Sequence, residues 1–233
     1  IKQHILKNYK TDESKIRLIH RCVNMENFNV ETTSAERMIK YLEDNNIPED
    51  KPIVTLIGRL TNWKGQKLLI EALHLIDNED FFCVIIGDDQ GRKKYSSELR
   101  KMIANYNMTD RFLFIRNVKD IPAAMMVSDV VLSTSIEPEA FGRIAIEGQA
   151  MGRVVVASNI GGSVETVIDG VTGRLYESTS AKALAEAIEW ALHLSTEERE
   201  KIGAAGIKNV KEHFTKQIMC DKTIEVYKEL INL

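Results

Sequence analysis

The sequence predicts an α/β fold, a parallel sheet with helices on both of its faces. Two observations carry that expectation. From Pro52 onward, short β-branched runs alternate with amphipathic stretches in a regular rhythm, the pattern of strands joined by crossover helices. The chain has 233 residues, 44% hydrophobic and 28% charged, enough to bury one good core with the composition of an ordinary globular protein. Neither an internal repeat nor a low-complexity tract interrupts the rhythm.

The elements follow in order. Residues 1–50 are polar and irregularly patterned, with one helix expected over Ser34–Asn45. The β-branched run Ile53–Ile57 is the first strand, and Gly65–Ile76 the first crossover helix. Phe81–Ile86 precedes a helix over Lys93–Tyr106, and Phe112–Ile115 precedes Ile121–Val127. Val130–Ser133 leads into Phe141–Met151, Val154–Ala157 into Val164–Ile168, and Gly173–Tyr176 into Ala181–Leu194. Two more helical stretches, Glu197–His213 and Lys216–Leu233, close the chain. The whole reads as a Rossmann-like domain.

Bulk properties remove several function classes. A net charge of −3 and a pI near 6.0 argue against a general nucleic-acid binder. Cys22, Cys83 and Cys220 are odd in number and widely spaced, which reads as reduced, mostly buried thiols of a cytoplasmic protein. No apolar run reaches the roughly 20 residues of a membrane span, and no signal peptide opens the chain. The first residue is Ile1, so a piece of a longer protein is the simplest expectation.

Familiar nucleotide motifs are missing. There is no G-x-x-x-x-G-K-[ST], no G-x-G-x-x-G after the first strand and no G-x-S-x-G. The five histidines are scattered, and no D-x-D stands ready to hold a metal beside a diphosphate. Positive charge for a phosphate would have to come from side chains. Gly58-Arg59-Leu60-Thr61-Asn62-Trp63-Lys64-Gly65 offers two, Arg59 beyond the first strand and Lys64 where the next helix starts. An Arg grips phosphate oxygens through its planar fork, and a Lys acts as a point charge. Two solvated surface cations are the competing reading.

The stretch Glu139-Ala140-Phe141-Gly142-Arg143-Ile144-Ala145-Ile146-Glu147 holds two carboxylates eight residues apart between a strand and a helix. Three readings compete. Each Glu could be a solvated surface residue. The pair could be a glycosidase couple, although two helical residues at this spacing lie about 12 Å apart along the axis, against the roughly 5–9.5 Å such enzymes use. Or Glu139 and Glu147 could meet two ends of an elongated ligand, with the backbone N–H groups of Phe141–Ile144 receiving an anion between them.

These residues resemble a known family. E-A-F-G-R-I-A-I-E is similar to the E-x7-E motif of the retaining, nucleotide-sugar-dependent GT-B glycosyltransferases of family 4, also called glycosyl transferases group 1. Gly58-Arg59-Leu60 with Lys64-Gly65 resembles that family's G-R-L-x-x-x-K-G, and Ile85-Ile86-Gly87-Asp88 its I-x-G-D/E turn. Gly161-Gly162-Ser163-Val164-Glu165 and Asp169-Gly170-Val171-Thr172-Gly173 resemble its G-G-x-x-E and D-G-x-T-G. Ile19 through Phe28 is similar to its interdomain linker, with Arg21, Cys22 and Asn24 in place of Asn, Gly and Asp. Val154 and Val164 stand where Pro is common.

The resemblance implies the donor-binding half of a two-domain enzyme. Residues 1–50 would be the tail of the N-terminal domain and the linker, 51–212 the nucleotide-sugar-binding domain, and 213–233 a helix packing back on the N-terminal domain. The substrate would be a UDP-, GDP- or ADP-sugar, with no cofactor and no metal. Gly58, Arg59, Lys64 and Gly87 would frame the donor diphosphate, and Arg59 and Lys64 would stabilise it as the leaving group. Glu139 would hydrogen-bond the transferred sugar. The main chain of Phe141, Gly142, Arg143 and Ile144 would hold sugar and phosphates, Glu147 the ribose and the main chain near Val118 the base. Retention would proceed without a protein nucleophile. A glycan or glycolipid acceptor would sit on the other domain, and the full-length protein would be cytoplasmic with peripheral attachment to the inner face of the membrane. By itself the fragment should be inactive. A non-catalytic nucleotide-sugar-binding protein and a GT-B epimerase or phosphorylase are the alternatives.

Overall fold

The computed structural model describes residues 2–77 and 80–231. Its strands are β1 (Ile53–Ile57), β2 (Phe82–Ile86), β3 (Phe112–Ile115), β4 (Val130–Ser133), β5 (Val154–Ser158) and β6 (Arg174–Tyr176). The helices before β4 are α1 (Lys2–Asn8), α2 (Ala35–Asn45), α3 (Gln66–His74), α4 (Lys93–Asn105) and α5 (Ile121–Met126). After it come α6 (Arg143–Ala150), α7 (Ser163–Thr166), α8 (Ala181–Leu192), α9 (Thr196–His213) and α10 (Lys216–Ile231).

All six strands form one parallel sheet in the order β3-β2-β1-β4-β5-β6. The chain winds outward from β1 to β3, returns, and continues from β4 on the other side. The crevice above β1 and β4 is therefore the switch point where open α/β sheets take ligands.

Successive strand residues face opposite layers, and helices cover both, so β1, β4 and β5 are buried along their whole length. Val54, Leu56, Ile85 and Leu132 pack under α3, α4 and α8 through Leu69, Leu99 and Ile188. Ile57, Val84, Val131 and Val155 pack under α2, α5 and α6 through Tyr41, Met125 and Ala145. A smaller cluster of Val23, Phe141, Ile146, Val210 and Phe214 ties α6 to α9 and to the segment before α2.

Most elements match the sequence expectation to within a residue or two, and the differences have causes. The helix expected from Phe141 starts at Arg143, because Gly142 is left-handed (φ 75°) and turns the chain before it. Gly65 does the same before α3 (φ 74°). Helix α2 packs on the sheet layer through Tyr41, so it joins the α/β unit although residues 1–50 read as tail and linker. Helix α1 went unread because it buries no residue, so it needs no apolar periodicity. Of the three free thiols only Cys83 is buried; Cys22 and Cys220 are half-exposed, which corrects the expectation for them. The last two residues expected in the final helix, and Ile1, lie outside the described residues.

The linker-like segment docks where α9 meets α10: the Val23 N–H donates to Phe214 O at 2.8 Å. Helix α10 buries nothing and exposes Ile224, Tyr227, Leu230 and Ile231. No helix among the described residues is long and apolar enough to cross a membrane.

Candidate functional site

The floor of the crevice is built from close backbone contacts. At the end of β1 the Gly58 N–H donates to Ile86 O at 2.8 Å, and at the end of β2 the Gly87 N–H donates to Ile115 O at 2.8 Å. A Cβ on Gly87 would lie 1.9 Å from Gly58 O, so only glycine lets the two strand ends meet. Arg59 follows with an exposed side chain, while its carbonyl accepts from Nε2 of the buried Gln66 at 2.9 Å.

The loop then crosses to β4. A 3-10 turn over Asn62–Lys64 ends in left-handed Gly65, whose missing Cβ would stand 1.9 Å from Thr134 O. Ile136 N–H donates to Trp63 O at 2.8 Å, and the Thr134 hydroxyl donates to Lys64 O at 2.8 Å. These bonds fix the backbone of Lys64 from the β4 side.

Its side chain crosses the crevice: Lys64 Nζ lies 2.5 Å from Glu139 Oε1, with the two side chains 15% and 16% exposed. The Ser135 hydroxyl donates to the same oxygen, and the Trp63 ring centre is 4.5 Å from Nζ. Glu139 is itself held from behind. Its carbonyl accepts from Gly162 N–H at 2.8 Å. A Cβ on Gly161 would come within 2.6 Å of the Glu139 backbone, and one on Gly162 within 2.4 Å of the Phe141 backbone. The glycine pair lets the β5–α7 loop press against the loop that carries Glu139.

Helix α6 starts next to this pair. Gly142 gives it no side-chain cap, so the first-turn amides, including those of Arg143 and Ile144, carry the partial positive charge of a helix N-terminus. The Phe141 side chain turns into the core and packs against His20 and Phe214. One turn into α6, Glu147 is buried and accepts from Arg143 Nη2 at 2.5 Å. Burial pushes its carboxyl above the usual range, and Arg143 opposes that shift. Val118 follows β3, three strands away from β4, or about 14 Å at ordinary strand spacing.

The structure thus gathers Gly58, Arg59, Lys64, Gly87, Glu139, Phe141, Gly142, Arg143 and Ile144 around one crevice, with Glu147 deeper and Val118 at the far end. Glu139 lies four residues before α6, so the spacing estimate for two helical acids does not apply. Sequence reasoning missed Ser135 and Thr134, which carry no local signal. It also missed the Arg143–Glu147 pair, whose i,i+4 spacing was legible. Among the described residues, no group of three or more His, Cys, Asp or Glu could hold a metal ion.

Residues 38–209 match the family model described as glycosyl transferases group 1. The chain belongs to this family. A glycosyltransferase from Rickettsia africae ESF-5 superposes with a TM-score of 0.96 at 39% identity, over 99% of this chain and 61% of that one. The Anabaena protein Alr3699/HepE, solved in complex with UDP and glucose, superposes at 0.87 with 25% identity over 100% and 61%. Spore coat protein SA of Bacillus subtilis (strain 168) is 27% identical over 98% of this chain and 63% of its own length. The chain therefore spans about 60% of the length of these relatives, and the sheet is the Rossmann-like unit found in GT-B glycosyltransferases.

Proposed function

We propose that this chain binds the nucleotide diphosphate sugar of a retaining, metal-independent family 4 glycosyltransferase and forms the donor half of its active site. The observation that carries this reading is the Lys64–Glu139 pair at the switch point, 2.5 Å apart and beside an uncapped helix N-terminus. A cation, a carboxylate and open amides on fixed backbone suit a ligand that offers a diphosphate to the first and last and sugar hydroxyls to the second. Glu147 would take the ribose once Arg143 releases it, and the main chain near Val118 the base. The strand separation of about 14 Å suits a ligand that long.

In the transfer, the bond between the sugar and the diphosphate breaks as the acceptor oxygen attacks from the same face. Arg59 and Lys64 neutralise the charge that develops on the leaving diphosphate. Preorganisation matters here, since the bonds to Lys64 O and Trp63 O fix the backbone that carries the cation. The acceptor, a glycan or glycolipid, would be bound by a further domain, with peripheral attachment at the inner face of the membrane. The isolated chain should therefore show little transfer, because catalysis needs both reactants held together.

The Anabaena relative, solved with UDP-glucose, makes UDP-sugars the first donors to test, ahead of GDP- and ADP-sugars. A thermal-shift panel of these nucleotides tests the reading, since a bound ligand raises apparent stability by mass action. Turnover by the full-length protein, compared with its Glu139→Ala variant, separates an enzyme from a non-catalytic binder.

A further inference from the structure

A cavity of about 710 Å³ opens between the start of α3 and the start of α4. It borders the Arg59–Lys64 loop through Trp63, but neither Lys64 nor Glu139 nor any residue of α6 lines it. It is a broad groove, widely open to solvent. Three cations, Lys67, Arg92 and Lys94, face one carboxylate, Glu98. Lys67 pairs with that carboxylate at 2.9 Å, which leaves the charge of Arg92 and Lys94 in excess on a chain that is acidic overall.

Two half-buried aromatic rings, Trp63 and Tyr95, complete the walls. Tyr95 is fixed in place, because its hydroxyl donates to Gln66 Oε1 at 3.1 Å and Gln66 is fully buried. Thr61 also lines the cavity. It is 7% exposed, and its Oγ1 has no hydrogen-bond partner among the described residues. As the residue before the Asn62–Lys64 turn it could cap that turn, yet it makes no cap bond. The hydroxyl is closed off from the groove, so it is an unpaired buried group and Thr61 lines the groove with its other atoms.

We infer that this cavity is a second site, separate from the crevice over β1 and β4, for a sugar phosphate. The Arg92 fork and the Lys94 ammonium take the phosphate. Trp63 and Tyr95 cover the apolar face of the sugar ring. A free phosphate shares only the first of these interactions and a neutral sugar only the second.

Calorimetric titration of this chain with glucose 6-phosphate, glucose and inorganic phosphate tests the assignment. Glucose 6-phosphate should bind saturably, at least about tenfold tighter than either fragment, equivalent to 1.4 kcal/mol or more. Arg92→Ala/Lys94→Ala should raise its Kd at least about tenfold while lowering Tm only slightly, since both side chains are exposed and Arg92 gives up only its bonds to Asp89 O and Gln90 Oε1. Thr61→Val should leave binding unchanged and the free protein as stable or more so, because it removes an unpaired buried hydroxyl that the groove does not reach. Excess UDP should leave the Kd for glucose 6-phosphate unchanged. The assignment is overturned by any of four results: no saturable binding, inorganic phosphate binding as tightly, displacement by UDP, or a double variant that binds normally. Binding to phosphatidylglycerol vesicles without binding to glucose 6-phosphate would overturn it too, in favour of a lipid surface.

Discussion

Lys64 and Glu139 lie 75 residues apart in the chain and meet at 2.5 Å across the crevice between β1 and β4. Each stands on a loop whose backbone is pinned by the neighbouring strand end, so the pair is a product of sheet topology. Both side chains are largely withdrawn from water, and each charge therefore depends on the other.

Removing both partners should cost less than the two single removals added together. Lys64→Met or Glu139→Gln alone leaves a partly buried group without its counterpart, whereas the double variant leaves neither charge. Thermal unfolding of the four proteins should show a smaller loss of Tm in the double variant than the two single losses added together. Simple additivity would mean that the two groups do not interact in solution.

Nucleotide binding should depend on the same lysine. Lys64→Ala should weaken the affinity for a nucleoside diphosphate by roughly 1.5–3 kcal/mol, the scale of one charged hydrogen bond. Calorimetry reads this directly. An unchanged Kd would remove Lys64 from the phosphate site.

The glycine at the end of β2 should tolerate no side chain. Gly87→Ala puts a Cβ 1.9 Å from Gly58 O, against backbone that cannot swing aside, and should destabilise the protein by more than about 2 kcal/mol. It should also displace Arg59 and weaken nucleotide binding. Gly91→Ala is the control: nothing lies within 4 Å of its Cβ, and only its φ of +83° is strained, so the loss should stay near 1 kcal/mol. Denaturant unfolding compares the two.

Glu147 should make the protein less stable as pH rises. Burial holds its carboxyl above the unfolded value of 4.5, so between those two values the folded state binds more protons than the unfolded state. Its contribution to stability is then fully present below the unfolded value and is lost as pH climbs through the folded one. Glu147→Gln should remove that dependence and give a Tm at pH 7 no lower than that of the parent, while weakening binding of any ligand that needs the carboxylate. A clearly lower Tm at pH 7 for the variant would contradict this.

The sheet was legible because strands buried on both faces are short apolar runs; the crevice was legible only as strand-to-helix turns, since the strand order that brings β1 beside β4 is not written in the sequence. Glu139, Lys64 and Arg59 were legible as charged residues at strand ends. The contacts that hold them were not. Gly161 and Gly162 stood out only as a pattern of resemblance, since the reason for them is the backbone of Glu139 and Phe141, more than 20 residues earlier. Ser135 and Thr134 gave no signal because a hydroxyl beside a strand is ordinary until its partner is known. Gly142 was read as helix because its left-handed turn leaves apolar periodicity unchanged on either side. Helix α1 was invisible because it packs nothing.

The most direct measurement is a calorimetric titration of this chain with UDP-, GDP- and ADP-glucose and the matching free diphosphates. At least one base series should bind saturably, with the free diphosphate retaining most of the affinity and Lys64→Ala losing it. A flat titration across every nucleotide, with the chain folded, would contradict the assignment of this crevice as a donor site.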